Sequence, residues 1–345
     1  MLPYDHGGDI YGGQEIRVDF SVNTNPLGMP ESVVRAIREG TDQDVRYPDY
    51  QCRALRRALS ERYGTPENTV LCGNGAADLI FRLCACLRPR RVLVPAPTFS
   101  EYGRSAALFG AEIAEYPLRE ENGFAVDSGI LAAITPGTDM VFLCNPNNPT
   151  GRLCDPGLLE EIVLQCGENG TVLVVDECFI EFTEGKSLLP LLAGNPHLLI
   201  LRAFTKLYAM AGLRLGYLLC ADTDLLDRIA AHGAQWSVST VAQRAGIAAL
   251  TEQNWAEKTR AFVSAQRQWL AEELTKLGLK VYPGEANYLL ARASHPIRQS
   301  LLERGLMIRD GSTFTGLNET YFRIGVKTAA ENQLLIDTLR EVLHG

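Results

Sequence analysis

Chemically active residue types follow five predicted strands of this 345-residue chain, in each case where the strand ends. In chain order they are Gly73-Asn74-Gly75-Ala76-Ala77, Thr98-Phe99, Asn145-Pro146-Asn147-Asn148-Pro149-Thr150-Gly151, Asp176 and Thr205-Lys206. Ligands of open α/β sheets bind beyond the carboxyl ends of the strands. The sequence therefore predicts one crevice that collects a glycine-rich turn, an aromatic ring, an amide, a carboxylate and an amine.

This set of groups meets the needs of pyridoxal phosphate (PLP). The aldehyde of PLP needs a lysine amine, and its pyridine nitrogen needs an anion that keeps it protonated. The ring needs a flat apolar partner, and the phosphate needs backbone N–H groups, ideally at a helix N-terminus. Taken singly, Asp176 could cap a turn and Lys206 could lie on the surface. Their joint placement after successive strands favours PLP held as a Schiff base on Lys206.

The order and spacing of these motifs resemble the class I and II aminotransferases, which are fold type I PLP enzymes. The resemblance covers nearly the whole chain. It is carried by Asn145–Gly151, Asp176-Glu177, Thr205-Lys206 and Arg214 within Ala211-Gly212-Leu213-Arg214-Leu215-Gly216. None of these motifs is specific alone, but their combination is.

The resemblance implies a role for each matching residue. Lys206 forms the Schiff base, Asp176 pairs with the pyridinium, Asn148 donates to the ring O3′ and Phe99 stacks on the ring. The phosphate is held by Ala76, Ala77, Thr205 and Arg214, and Gly75 is also among the cofactor-binding residues. Tyr47, in Arg46-Tyr47-Pro48, reaches the phosphate of the other subunit's cofactor, which implies a homodimer with shared active sites.

Two positions depart from the wider family pattern. Many members carry Tyr three residues after the aspartate, where this chain has Phe179, so Asn148 is expected to be the main O3′ partner. The residue three before the lysine is often Ser or Thr and here is Ala203, so one side-chain contact to the phosphate is expected to be missing.

The two ends of the chain resemble the threonine-phosphate decarboxylases within this family. The matching segments are His6-Gly7-Gly8-Asp9-Ile10, Asp19–Pro30, Val281–Leu290 and Tyr321-Phe322-Arg323-Ile324. The resemblance implies decarboxylation of O-phospho-L-threonine to 1-amino-2-propanol phosphate in cobalamin (cobamide) biosynthesis. The His-Gly-Gly start is not usual in the related histidinol-phosphate aminotransferases, and the missing phenol at Phe179 also favours the decarboxylase.

A small substrate with a carboxylate and a phosphate needs at least two cationic anchors, and bidentate arginine suits both groups. The resemblance places Arg309 and Arg323 at the substrate, and His6 and Asn23 from the N-terminal arm close over it. For His6 the alternative is a solvated side chain in a glycine-rich arm.

Three other functions stay open at this point. The first is a PLP-dependent aminotransferase of the histidinol-phosphate type, in which Lys206 moves a proton from Cα to C4′. The second is a PLP-binding regulator without turnover. The third is a dinucleotide site at Gly73–Asp78, but this segment lacks the third glycine of the G-x-G-x-x-G pattern.

These residues require an α/β scaffold. Continuous apolar runs predict strands buried on both faces of a sheet, and the helical patterns between them predict βαβ crossovers. The runs are Thr69–Cys72, Arg91–Val94, Met140–Cys144, Val172–Val175, Leu198–Leu201 and Leu215–Cys220. We expect a mostly parallel sheet with one antiparallel strand and helices on both faces, plus a smaller α+β domain.

The same patterns predict how the chain divides. Residues 1–30 form an irregular arm, 31–254 the large PLP-binding domain, and 255–345 a long linking helix and the small domain. In the small domain, Val281, Tyr288–Leu290, Leu306–Ile308 and Tyr321–Val326 are predicted to form one sheet, covered by helices near 297–304 and 329–343.

Composition narrows the class of protein further. The net charge of −8 argues against a nucleic-acid binder. The start of the chain has no signal-peptide pattern, and no apolar run has the length of a membrane helix. The nine scattered cysteines have no metal-site spacing and indicate free thiols. We therefore expect a cytoplasmic enzyme with no metal, no membrane partner and no nucleic-acid partner.

Overall fold

The secondary structure is taken from a computed structural model that describes residues 6–344. The strands are β1 Val18–Asp19, β2 Val70–Gly73, β3 Arg91–Ala96, β4 Glu112–Pro117, β5 Met140–Cys144, β6 Val172–Asp176, β7 Leu198–Ala203, β8 Gly216–Cys220, β9 Lys280–Val281, β10 Tyr288–Arg292, β11 Leu306–Met307, β12 Arg309–Asp310 and β13 Tyr321–Gly325. The helices are α1 Glu31–Glu39, α2 Arg53–Tyr63, α3 Ala76–Leu87, α4 Glu101–Leu108, α5 Gly129–Ala133, α6 Pro156–Asn169, α7 Phe204–Leu207, α8 Thr223–Ala231, α9 Thr240–Leu250, α10 Trp255–Lys276, α11 Arg298–Leu302 and α12 Ala329–His344.

The main sheet has seven strands in the order β2-β8-β7-β6-β5-β3-β4. Only β8 runs antiparallel to its neighbours, so the predicted mostly parallel α/β fold is confirmed. All five residues of β5 are buried, because successive side chains enter different cores. Val141 and Leu143 pack in the core on one face of the sheet, and Met140 and Phe142 pack in the core on the other.

The edge strand β4 was not predicted from the sequence. It pairs with β3 alone, and its residues are exposed or half-buried. A strand in this position does not need the continuous apolar run that marks the central strands, and Glu112 and Glu115 interrupt its sequence.

A second sheet has four antiparallel strands in the order β12-β13-β10-β9. The prediction that Leu306–Ile308 belongs to this sheet is wrong. Leu306 and Met307 pair instead with Val18 and Asp19 of the N-terminal segment, in a separate two-stranded parallel sheet. The pairing gives the predicted irregular arm a short strand of its own, and Arg309–Asp310 supplies the fourth strand of the small sheet.

The long helix α10 connects the two parts of the chain. Its buried residues include Val263, Leu270 and Leu274, which lie on one face because their spacing follows the helical repeat. It packs against α12 and against the small sheet. The domain bounds stated above stay a prediction. In residues 6–344, no helix is long and apolar enough to cross a membrane.

Candidate active site

A cavity of about 200 Å³ lies at the carboxyl ends of the main-sheet strands, facing the small sheet and the N-terminal arm. It is lined by His6, Gly7, Ser21, Val22, Asn23, Ala76, Ala77, Phe99, Ser100, Tyr102, Cys144, Asn148, Asp176, Cys178, Phe179, Ala203, Thr205, Lys206, Arg214, Arg309, Phe314 and Arg323. Twelve of the residues predicted from the sequence for this site lie in its wall. The two exceptions are Gly75, next to Ala76, and Tyr47.

Asp176 is the last residue of β6 and is buried at the floor of the cavity. Its Oδ2 accepts a hydrogen bond from the Tyr102 hydroxyl at 2.6 Å, and its Oδ1 accepts from the Cys178 N–H at 2.9 Å. Burial raises the pKa of the Asp176 carboxyl above its ordinary value, and these hydrogen bonds oppose the shift. A cationic partner in the cavity would stabilise the ionised carboxylate, as a pyridinium nitrogen does.

Lys206 lies on the short helix α7, directly after β7. Its Nζ is 5.7 Å from the centroid of the Phe179 ring. Burial lowers the pKa of the Lys206 amine to about 8, and the charges of Arg323 and Arg214 act in the same direction. A larger fraction of this amine is therefore neutral near pH 7 than for an ordinary lysine. The neutral amine is the form that attacks an aldehyde.

A cradle for an anion lies where α3 begins. Gly75 precedes the helix with φ of +86°, a backbone conformation that side chains rarely adopt. A Cβ atom at this position would lie 2.8 Å from Nη2 of Arg214. The guanidinium of Arg214 therefore packs directly against the backbone of Gly75. Strand β8 also comes close, because a Cβ at Gly216 would lie 2.7 Å from the Ala76 nitrogen.

These features fit PLP. The glycine, the start of α3 and Arg214 form a cradle of phosphate-binding type. Asp176 supplies a buried anion and Lys206 supplies an amine of lowered pKa, both in the wall of the same cavity. Phe99 supplies an aromatic ring there, packed edge-on against Tyr102 with centroids 5.5 Å apart.

Asn148 is buried and its amide orientation is fixed by Arg323, whose Nη1 donates to the Asn148 Oδ1. The Nδ2 amide is then the group that faces away from Arg323 and can donate to a ligand. This arrangement suits the proposed hydrogen bond to the ring O3′. Phe179 is buried against Tyr288 with ring centroids 5.0 Å apart, and it has no hydroxyl to share that role.

Arg309 and Arg323 face each other in register across β12 and β13, and both are buried. Arg323 Nη2 donates to the Ser21 carbonyl at 2.5 Å, whereas its Nε is buried without a hydrogen-bond partner among the described residues. Burial and the neighbouring Arg309 lower the pKa of the Arg323 guanidinium to about 10. A buried donor without a partner is costly, so the site favours an anionic ligand here.

The N-terminal segment forms one wall of the cavity. His6 lies in this wall, and its Nε2 is 3.1 Å from Oε1 of Glu101. Asn23 is almost fully buried, and its Oδ1 has no hydrogen-bond partner in the described part of the chain. The structure thus brings both predicted arm residues to the same cavity as the two arginines.

Tyr47 lies outside the cavity. Its side chain is 81% exposed and its ring lies against Trp236 with centroids 4.8 Å apart. Its predicted contact is with a second subunit, so within one chain the assignment stays a prediction.

Several cavity residues were not predicted from the sequence. Tyr102 belongs to the first turn of α4, three residues after Phe99, whereas Ser21 follows β1 and Phe314 precedes β13. Tyr102 was within reach of sequence reasoning because it lies only three residues after Phe99. Cys178 lies in the cavity wall because it follows Asp176 by two residues, and its N–H donates to the Asp176 carboxylate.

Comparisons with known proteins show which family the chain belongs to. Residues 15–339 match the family model described as aminotransferase class I and II. The chain is 39% identical to the threonine-phosphate decarboxylase of Salmonella typhimurium, with 99% of this chain and 97% of that protein covered.

Two solved structures are similar over nearly their whole lengths. The histidinol-phosphate aminotransferase from Clostridium acetobutylicum has a TM-score of 0.88 at 28% identity, covering 94% of this chain and 98% of the other. The L-threonine-O-3-phosphate decarboxylase from Porphyromonas gingivalis has a TM-score of 0.83 at 27% identity, covering 94% and 99%.

The chain therefore belongs to the class I and II aminotransferase family, with the fold of fold type I PLP enzymes. It is a PLP-dependent enzyme, as the sequence predicted. The family contains both decarboxylases and aminotransferases, so the reaction has to be argued from the residues around the substrate.

Proposed function

We propose that this enzyme decarboxylates O-phospho-L-threonine to 1-amino-2-propanol phosphate, a reaction of cobalamin (cobamide) biosynthesis. The observation that carries the proposal is the pair of buried arginines, Arg309 and Arg323, in the cavity that also holds Lys206. A substrate with a carboxylate and a phosphate needs two such anchors. The identity to the Salmonella typhimurium threonine-phosphate decarboxylase supports the same substrate.

The two arginines bind the substrate and fix its orientation in the cavity. Arg323 is fixed by its hydrogen bonds to Asn148 and Ser21, and its Nε, which has no partner among residues 6–344, is available to an anion. Arg309 lies against the Phe314 ring at 5.3 Å, which restricts the plane of its guanidinium. Two anchors of fixed direction hold the substrate's two anionic groups apart, and this leaves one orientation of the bonds around Cα.

PLP, when bound, supplies the electron sink that accepts the electron pair of the broken bond. Asp176 would hold the pyridine nitrogen of the bound cofactor in its protonated form. Because the bond perpendicular to the cofactor ring would break fastest, the two arginines would select decarboxylation by holding the Cα–carboxylate bond in that direction. Lys206, with its lowered pKa, is placed to return a proton at Cα after CO2 has left, and water is the alternative donor.

The second candidate is an aminotransferase of the histidinol-phosphate type, which the similarity to the Clostridium acetobutylicum enzyme supports. In that reaction Lys206 would carry a proton from Cα to C4′. Two features favour the decarboxylase: the His6 side chain lies in the cavity wall, and Phe179 replaces the common tyrosine.

The test is to mix the holoenzyme with O-phospho-L-threonine and to measure both CO2 and the absorbance of the cofactor. We expect catalytic release of CO2 without accumulation of pyridoxamine phosphate. Stoichiometric conversion to pyridoxamine phosphate, or turnover of histidinol phosphate with a 2-oxo acid, would establish the aminotransferase instead. Failure to turn over either substrate would favour a PLP-binding regulator.

O-phospho-L-serine is a useful control substrate. It differs from O-phospho-L-threonine by one methyl group, and such a difference is worth about 1–3 kcal/mol in a complementary pocket. A kcat/KM lower by about 10-fold or more with phosphoserine would show that the cavity recognises the methyl group.

We also propose that the enzyme is a cytoplasmic homodimer. The exposed Tyr47 and Trp236 support a second subunit, since large aromatic side chains on a surface are typical of interfaces. All nine cysteines are free thiols, which suits a reducing compartment. Size-exclusion chromatography with light scattering tests the assembly, and a molecular mass of one chain would contradict it.

A further inference from the structure

Glu101 is a buried carboxylate on the first turn of α4, between the cavity-lining residues Ser100 and Tyr102. Its Oε1 lies 3.1 Å from Nε2 of His6, and Nη1 of Arg104 donates to both of its oxygens at 3.1 and 2.9 Å. The hydrogen bond from His6 and the charge of Arg104 lower the pKa of the Glu101 carboxyl. Glu101 is therefore ionised and can only accept hydrogen bonds.

The backbone of the arm is built to hold His6 at this place. A Cβ at Gly7 would lie 2.4 Å from the Ser21 carbonyl oxygen, so only glycine permits this approach. Gly8 has φ of +91°, and its N–H donates to the Ser21 Oγ at 2.9 Å. The same Ser21 accepts a hydrogen bond from Arg323 through its carbonyl. The His-Gly-Gly segment thus packs on the residue that also holds the substrate arginine.

We propose that Glu101 is a positioning residue that orients the His6 ring toward the anionic group of the substrate. Because Glu101 accepts at Nε2, that nitrogen carries a proton, and Nδ1 is the ring nitrogen left for the substrate. The Glu101 carboxylate thus holds one edge of the ring and leaves the other edge facing the cavity that contains the two arginines.

This inference rests on the proposed function, because it assigns His6 to the substrate of that reaction. It extends the function by naming a residue that acts only through His6. Glu101 is then required for substrate affinity, whereas PLP and the bond-breaking step do not depend on it.

The test is a double-mutant cycle on the holoenzyme with His6→Ala, Glu101→Gln and the combined variant. We expect Glu101→Gln to raise KM for O-phospho-L-threonine about tenfold with kcat nearly unchanged, since the His6 hydrogen bond then has a neutral amide acceptor in place of an ionised carboxylate. In the His6→Ala background the same change should have no further effect. Glu112→Gln is the matched control, because Glu112 is exposed at the sheet edge and loses the same charge.

A second readout is the dissociation constant for inorganic phosphate, measured by calorimetry on the same variants. Phosphate should bind more weakly to Glu101→Gln than to the wild-type enzyme. It should bind no more weakly to the double variant than to His6→Ala. An equal effect of Glu101→Gln with and without His6, or no effect on KM and phosphate binding, would overturn the inference. If the wild-type enzyme releases no CO2, the proposed function fails. The phosphate dissociation constants of the four proteins still decide the role of Glu101.

Discussion

The Tyr102 hydroxyl donates to Oδ2 of Asp176 at 2.6 Å, and both side chains are buried beneath the cavity. The Tyr102 ring is stacked on Phe142, with centroids 5.0 Å apart and an interplanar angle of 8°. Tyr102 therefore has a fixed ring and one hydroxyl that touches the carboxylate facing the cofactor. This hydrogen bond opposes the rise in the pKa of Asp176 that burial causes.

Tyr102→Phe should lower kcat about tenfold, because a hydrogen bond to an ionised carboxylate is lost while the packed ring stays. The pKa of Asp176 rises when this donor is removed, so the acidic limb of the kcat–pH profile should move to higher pH. The measurement is the pH dependence of kcat for both proteins. An unchanged profile would show that the Tyr102 hydrogen bond does not set the protonation state of Asp176.

Lys206→Ala should abolish both turnover and the visible absorbance of PLP bound through a lysine. Apoenzyme titrated with PLP and scanned in the visible region gives the result directly. A surface substitution such as Lys276→Ala is the matched control, since that side chain is largely exposed. Normal absorbance and turnover in Lys206→Ala would show that another amine holds the cofactor.

The capture of PLP by the apoenzyme should accelerate with pH and level off above pH 8 or so, because the Lys206 amine has a pKa of about 8 and reacts when neutral. An ordinary lysine, with a pKa of 10.5, would still accelerate at that pH. Arg323→Gln should move the midpoint upward, since a nearby positive charge is removed. Stopped-flow absorbance measures the rate, and Arg90→Gln, at a side chain 89% exposed, is the control.

Gly75→Ala should weaken PLP binding about tenfold, since a Cβ would lie 2.8 Å from Arg214 and since the backbone, at φ of 86° and ψ of 167°, lies in a region that costs alanine about 1–3 kcal/mol. Gly167→Ala is the control, because Gly167 lies within α6 and an added Cβ there meets open space. The control should keep the affinity and raise the melting temperature slightly. Equal PLP dissociation constants for the two variants would contradict the cradle at Gly75.

The central strands and the residues at their ends were predictable because both depend on local sequence. A buried parallel strand reads as a continuous apolar run, as in Met140–Cys144, and a polar residue after it must lie at the carboxyl edge of the sheet. Asp176 and Lys206 were found in this way.

The contacts between distant segments were not predictable by the same reasoning. Strand β11 pairs with β1 rather than with the small sheet, because the N-terminal arm crosses to it from the other end of the chain. The Tyr102–Asp176 and His6–Glu101 hydrogen bonds likewise join side chains far apart in sequence. Only the folded sheet and the docked arm bring such partners together.

Tyr47 offers a test of the shared active site. The residue is 81% exposed and lies outside the cavity of its own chain, so Tyr47→Ala should leave the fold and melting temperature of the subunit nearly unchanged. If Tyr47 binds the cofactor phosphate of a second subunit, the variant should bind PLP about tenfold more weakly, since a hydrogen bond to a charged group is lost. The PLP dissociation constant measures this effect.

Hybrid dimers distinguish a contact between subunits from an effect within one chain. A Lys206→Ala chain, which keeps Tyr47, is mixed with a Tyr47→Ala chain, which keeps Lys206. If Tyr47 reaches across the interface, the hybrid contains one site with both residues intact. That site should bind PLP as tightly as a wild-type site and should turn over substrate at the same rate. If Tyr47 acts on its own chain, each site in the hybrid lacks one of the two residues. Wild-type affinity in half of the hybrid's sites therefore supports the contact between subunits, whereas uniformly weak sites would exclude it.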